Sequence, residues 1–452
     1  MKNMTISRAA ALCEGRVCGA LDEDKELRHV VIDSRAVQPG DLFVAYRGEN
    51  ADGHDYIGAA FSRGAACCLC ERVPAGETRP LILVPSVQTA LEAIAAAYRA
   101  SLSLPVVGIT GSVGKTSAKE MIAAVLQQRF SVLKTDGNLN NQIGVPMTLS
   151  RIEESHEAAV VEMGISGFGE MTELAKMVRP TIGVFTVIGH AHLEVLHDLE
   201  GVFRAKTEML AEMDANAAVV VNGDDPWLQR LNCAQKKYTV GLGESCDLRA
   251  VELRLDEKGF TRCRLVGCGR SIPVTIPAFG KHMVYAALEG AAVGILLGLS
   301  DGEIARGVAS YETVGRRSAV TETGFVTLVD DCYNANPDST RCALDSLSRL
   351  PGRHICILGD MLELGENAAQ MHFETGRYAR EQGMDAVYTC GELGREIAAG
   401  AGESGRHFES RDALIAALPT LLRRGDRVLV KASRAMRFEL IAEAVKSLGE
   451  RT

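Results

Sequence analysis

No apolar run in this 452-residue chain is long enough to cross a bilayer. The longest, from Val284 to Leu299, is broken by Glu289, and it predicts a buried helix instead. Met1 to Cys18 carries scattered charges without a continuous apolar core, so no signal peptide and no membrane insertion are expected. A basic surplus is also missing. The chain has 49 Lys and Arg against 58 Asp and Glu, a formal net charge of -9, which argues against a nucleic-acid surface. Anionic ligands remain open through local sites. Nor do the 13 cysteines form a framework spacing, and an odd, scattered set fits a reducing cytoplasm better than a secreted fold. Cys67, Cys68 and Cys70 lie in an apolar stretch that reads as a buried strand, where free Cys behaves as a small hydrophobe rather than a metal ligand.

What the chain does have is Val106-Val107-Gly108-Ile109-Thr110-Gly111-Ser112-Val113-Gly114-Lys115-Thr116-Ser117, a β-branched run breaking into a glycine-rich loop and then a helix from Ser117 towards Phe130. Gly108, Gly111 and Gly114 would let backbone N–H groups turn onto an anion at the positive end of that helix. Lys115 adds charge for the β/γ-phosphates of a nucleotide, and the Thr116 hydroxyl can ligate Mg²⁺. Ile109 stands where the usual phosphate loop has its first glycine.

Length predicts several domains. Residues 1–103 read as a small N-terminal α/β module with strands around Val30 and Leu42. Its turn-rich cluster from Arg47 to His54 suits either ligand contact or a plain surface turn. Ser101 to Pro105 marks a linker. Residues 104–314 read as a central domain with a mostly parallel sheet, its strand-loop-helix rhythm continuing to about Leu299. There the amide-dense loop Thr135 to Pro146 suits a polar ligand, and Glu162 ends a strand beside the phosphate loop. His190 and His192 follow the strand Thr181 to Ile188. Residues 315–452 reset into a second, Rossmann-like α/β unit, whose strands at Phe325–Val329, His354–Leu358 and Arg427–Val430 end in charged loops. Such loops at successive strand ends build the ligand site of an open α/β sheet.

Three C-terminal stretches complete the pattern: Asp331-Cys332-Tyr333-Asn334-Ala335-Asn336-Pro337, Gly359-Asp360-Met361-Leu362-Glu363-Leu364-Gly365 and Lys431-Ala432-Ser433-Arg434. With the phosphate loop, Asp33-Ser34-Arg35 and Asp52-Gly53-His54, they resemble the Mur ligase family, ATP-dependent amide-bond formers of peptidoglycan synthesis. The resemblance covers essentially the whole chain. It implies three α/β domains and a monomer that uses ATP and Mg²⁺ to join D-alanyl-D-alanine to a UDP-N-acetylmuramoyl-tripeptide. By resemblance, Lys115, Lys206, His192 and Asn138 are catalytic, with Lys206 at the position where the family carries a carbamylated lysine. Gly111, Ser112, Gly114, Lys115, Thr116, Ser117, His282, Arg316 and Asp331 would hold the nucleotide; Thr116, Glu162, His192 and Lys206 would hold the metal. Ser34, Arg35, Asn140, Asn334, Asn336, Asp360, Lys431, Ser433 and Arg434 would meet the substrates. The chain departs from the family at Met283, where an Asn follows the His, and also at Val187, His197-Asp198 and Ala432. A glutamate-to-folate ligase would share the central domain without the Tyr333 to Pro337 run, and a non-catalytic nucleotide switch would make no amide. Because the proposed contacts lie on three modules, hinges are expected near Ser101–Pro105 and Val314–Arg317.

Overall fold

The computed structural model describes residues 1–21, 24–48, 51–255 and 260–450. Glu49 and Asn50, part of the turn-rich cluster noted above, lie outside them. Three sheets succeed one another. The first runs Arg16–Cys18, Leu81–Leu83, Cys67–Cys70, Leu42–Val44, Val30–Val31, parallel except at its first pair. Cys67–Cys70 is its fully buried central strand, and burial pushes the Cys67 thiol up to about 12. These are inert, packed thiols.

The central sheet has nine strands, and Val106–Thr110 lies between Ile182–Phe185 and Ala158–Glu162, parallel to both. All five of its residues are buried, as a strand covered by helices on both faces requires. Gly108 does not turn the backbone as expected. It sits within the strand, where a Cβ would come 2.7 Å from Pro180, so its role is close packing. The far edge also departs from the expected rhythm: Leu248–Leu255, Thr261–Gly267 and Arg270–Ile276 form an antiparallel meander. Along the last two of these strands side chains alternate between buried and more exposed, the mark of a sheet with one solvated face. Over the inner face packs the apolar helix Met283–Leu296, matching the expected buried helix and lying against Lys115–Leu126.

The C-terminal sheet runs Ala319–Glu322, Thr327–Asp330, Arg427–Lys431, His354–Leu358, Ala386–Cys390, Gly405–Phe408, parallel apart from the first, antiparallel edge strand. Its strand order reverses around Arg427–Lys431, so Asp331, Asp360 and Lys431 emerge together at the carboxyl ends.

The N-terminal and central modules are not separate bodies. One apolar core runs from Met4, Leu42 and Tyr98 into Val106, Val145 and Leu174. The buried Arg99 guanidinium seals the joint by donating to the Val178 carbonyl at 2.8 Å and the Arg179 carbonyl at 3.2 Å. Interdomain movement at Ser101–Pro105 would have to open this core, so the hinge expected there is closed by packing.

Candidate active site

The phosphate loop follows from two backbone constraints. Gly111 has φ +147°, and a Cβ there would come 2.0 Å from Thr186 Oγ1, while Gly114 has φ +88° as the cap of the helix Lys115–Leu126. Both positions exclude ordinary side chains. The helix starts two residues before the expected Ser117, so its first free N–H groups face the loop. Thr186 Oγ1 donates to the Val113 carbonyl at 2.6 Å, and Lys115 Nζ donates to the Gly111 carbonyl at 2.7 Å. Burial lowers the Lys115 pKa; Glu162 opposes that shift and Arg317 adds to it.

Opposite stands Glu162, 1% exposed. Its Oε2 accepts from Thr116 Oγ1 at 2.9 Å and its Oε1 from Asn140 Nδ2 at 2.8 Å. The Glu162 N–H donates to Thr135 Oγ1 at 3.0 Å, and buried Lys119 donates to the Thr135 carbonyl at 2.7 Å. The strand end and the amide-rich loop are thus tied together. Among the described residues no three His, Cys, Asp or Glu side chains converge as a self-sufficient metal cluster. Thr116 and Glu162 nevertheless offer two hard oxygens beside the phosphate loop, which fits Mg²⁺ as the ion that completes its shell with phosphate oxygens and water.

His192 caps the short helix Leu193–Leu196 with φ +55°, a strained setting for a non-glycine residue. Its Nδ1 lies 2.6 Å from Glu363 Oε2 of the C-terminal domain. Lys206, on the helix Leu199–Thr207, is 1% exposed, and burial followed by the Lys115 charge drives its pKa well down. The Glu170 carboxylate partly opposes that shift.

The C-terminal wall brings buried Lys431, whose Nζ donates to Asp331 Oδ2 at 2.6 Å and to the Asn334 carbonyl at 3.0 Å. Asp331 Oδ1 accepts from the Ser318 N–H at 2.8 Å. The Arg317 guanidinium stacks 3.9 Å from the Tyr333 ring centre. Asn336 caps the helix Pro337–Leu347, with Pro at the first position where its missing N–H costs nothing. Burial lowers the His282 pKa, which favours a neutral ring, and its Nδ1 is enclosed without a partner.

These groups enclose a cleft of about 380 Å³ lined, among the expected residues, by Ser112, Gly114, Lys115, Thr116, Ser117, Asn138, Asn140, Glu162, His192, His282, Asp331, Asn334, Asn336 and Lys431. Others lie elsewhere. Gly111 shapes the loop from beneath, and Lys206 is buried away from the cleft surface. Arg316 turns away: it pairs with Asp330 and Glu443, both at 2.6 Å, and its neighbour Arg317 lines the cleft instead. Asp360 accepts from the Gly394 and Glu392 N–H groups, and Ser433 Oγ accepts from the Leu362 N–H, so both brace C-terminal loops. Exposed Arg434 lies 3.8 Å from Glu439 Oε2 and 6.0 Å from the Tyr333 ring centre. Ser34 and Arg35 are on the N-terminal module and do not line this cleft, and Arg35 pairs with Asp33. Met283 packs into the core, so the family's amide at that position has no polar replacement in the cleft. Sequence reasoning missed Arg317, Tyr333, Asn141, Ser339 and Cys342 as lining residues. Tyr333 stands in the Asp331 to Pro337 stretch, and an aromatic ring among amides at a strand end was the available signal.

Comparison with known proteins finds similarity along the full length of the chain. Residues 26–99 match a model described as Mur ligase family, catalytic domain; residues 109–294 match the Mur ligase middle domain; residues 315–434 match the Mur ligase, glutamate ligase domain. The chain is 35% identical to the UDP-N-acetylmuramoyl-tripeptide--D-alanyl-D-alanine ligase of Bacillus subtilis, covering 100% of this chain and 99% of the relative. Its identity to the Escherichia coli enzyme of that name is 34%, over 99% and 100%. A crystal structure of MurF from Acinetobacter baumannii superposes with TM-score 0.90 at 28% identity, over 98% of this chain and 99% of that one. MurF ligase from Thermotoga maritima in complex with ADP gives TM-score 0.84 at 30% identity, over 94% and 98%. With a phosphate loop on an interior strand of the central sheet facing charged strand ends of the C-terminal α/β domain, and with similarity that runs the length of these relatives, the chain belongs to the Mur ligase family.

Proposed function

We propose that this chain is an ATP-dependent ligase that joins D-alanyl-D-alanine to UDP-N-acetylmuramoyl-tripeptide, giving ADP and phosphate, in the cytoplasm. The observation that carries the reading is the full-length similarity to ligases named for that reaction, together with a phosphate loop that opens into a polar cleft between two domains. We assign residues 1–103 to UDP-substrate binding, 104–314 to ATP and 315–452 to closing the cleft. Thirteen unpaired cysteines support a reducing compartment.

A carboxylate does not acylate an amine at neutral pH. Here an oxygen of the tripeptide carboxylate attacks the γ-phosphorus of ATP; that O–P bond forms as the bond to ADP breaks, leaving an acyl phosphate. Lys115 and the N–H groups of the loop hold the phosphates and neutralise charge that grows in the transition state. Thr116 and Glu162 are the residues that would hold Mg²⁺, which supplies further neutralisation of the phosphate oxygens. The dipeptide amine then loses a proton and attacks the acyl carbon, and phosphate departs. Asn334, Asn336 and Lys431 wall off this step on the C-terminal side, which limits hydrolysis of the intermediate. Phosphate release in the presence of ATP, Mg²⁺ and both substrates tests the reading. Release requiring both substrates is expected; release at full rate from ATP alone would refute it.

A further inference from the structure

A short polar path joins the phosphate loop to the C-terminal domain, running from Ser112, which lines the cleft, to Gly189, His190 and Asp338, which do not. The Ser112 N–H donates to the Val187 carbonyl at 2.8 Å. The Ser112 hydroxyl donates to the Gly189 carbonyl at 2.8 Å and accepts from the Gly189 N–H at 2.9 Å. The next N–H, that of His190, donates to Asp338 Oδ2 at 2.6 Å, and the His190 ring Nδ1 lies 3.0 Å from the same oxygen. Asp338 stands in the first turn of the helix Pro337–Leu347, whose cap Asn336 and whose Ser339 do line the cleft. One carboxylate oxygen therefore bridges two domains at the rim of the phosphate site.

Gly189 provides a second, independent observation. A Cβ built there would have Asp338 as its nearest neighbour: Oδ2 at 2.6 Å, Cγ at 3.2 Å and Cβ at 3.6 Å. Its φ lies outside the left-handed region, so the backbone would accept alanine, and what excludes a side chain is the docked carboxylate.

We infer that Asp338 is a positioning residue: by docking on Gly189 and His190 it couples the seating of the C-terminal domain to the shape of the phosphate loop through Ser112. Nucleotide in the loop and the docked domain then stabilise one another, and the coupling is reciprocal. This rests on the reading of the loop as a nucleotide site. It goes beyond that reading by naming the contact that links nucleotide to domain docking.

The test titrates the intact protein, with Mg²⁺, against ADP carrying a fluorescent label on its ribose. It uses wild type, Asp338→Ala, Asp338→Asn, Gly189→Ala and the double variant Gly189→Ala/Asp338→Ala. Asp338→Ala is expected to weaken binding roughly tenfold, within the usual range for coupling between sites. Asp338→Asn keeps an oxygen acceptor for the His190 N–H and is expected to stay within about threefold of wild type. Gly189→Ala should weaken binding as Asp338→Ala does, and the double variant should be no worse than either, because its alanine no longer strikes the carboxylate. Wild-type affinity in Asp338→Ala, or losses that add in the double variant, would overturn the inference while leaving the nucleotide site intact. Failure of the wild type to bind the labelled ADP would overturn the nucleotide reading and the coupling with it.

Discussion

Lys115 and Lys206 are two amines in one poorly solvated region, and burial is the first cause that holds each below the ordinary lysine range. They differ in what surrounds them. Lys115 looks into the cleft beside Glu162, whereas Lys206 is 1% exposed and is pushed further down by Lys115. A surface lysine in a loose ion pair could be removed at little cost; Lys206 is not such a residue. A neutral amine is the form that reacts with CO2: the nitrogen bonds to carbon, one C–O electron pair moves to oxygen, and a proton leaves to water. The resulting carbamate would place anionic oxygens beside Lys115 and His192. Lys206→Ala should therefore fold yet lose at least about two orders of magnitude in turnover, and propionate in the buffer should restore part of it by entering the vacated space. Near-wild-type turnover in that variant would end the carbamate assignment. Lys115→Ala should lose about two to three orders of magnitude, the scale of removing a major electrostatic stabiliser. A loss of threefold or less would show that the phosphates bind elsewhere.

The helix Met283–Leu296 makes the clearest prediction at the scale of an element. Glu289 lies in its middle, 2% exposed, with Oε1 unpartnered, and burial pushes its carboxyl up to about 8. A folded-state pKa raised from the ordinary 4.5 gives a stability contribution that is complete below the ordinary value. It is lost as pH rises towards 8, at a limiting rate of about 1.4 kcal/mol per pH unit. Urea unfolding from pH 5 to 9 should show that slope in wild type and a flatter curve in Glu289→Gln; parallel curves would contradict it. That helix was legible because its run is apolar on all sides apart from Glu289, and the strands Cys67–Cys70 and His354–Leu358 were legible from their unbroken apolar runs. The meander from Leu248 to Ile276 was not, since its alternating Arg and apolar residues report one buried face and say nothing of strand direction. The phosphate loop announced itself through Gly111, Gly114 and Lys115. Adjacent arginines hid their difference: Arg316 is drawn off by Asp330 and by Glu443, 127 residues away, leaving Arg317 to the cleft. Asp338 and Glu363 also meet His190 and His192 only in three dimensions, and no local pattern encodes such pairs.

At the scale of the whole molecule, the joints differ in kind. The N-terminal and central domains share an apolar core sealed by Arg99, whereas the central and C-terminal domains meet near the site through polar bridges: His190 to Asp338 at 3.0 Å and His192 to Glu363 at 2.6 Å. Polar bridges open more readily than a buried core. Spectroscopic distances between labels on the N-terminal and central domains should stay fixed when nucleotide and tripeptide substrate are added, while distances from either to the C-terminal domain change. Movement across the first joint would contradict the shared core. The central claim, that this cleft activates a substrate carboxylate with the γ-phosphate of ATP, is tested most directly by isotope transfer. Tripeptide substrate bearing ¹⁸O in its reacting carboxylate is turned over with ATP, Mg²⁺ and D-alanyl-D-alanine, and the released phosphate is weighed by mass spectrometry. The account predicts one ¹⁸O atom in phosphate for each amide formed; amide formation with unlabelled phosphate would contradict it.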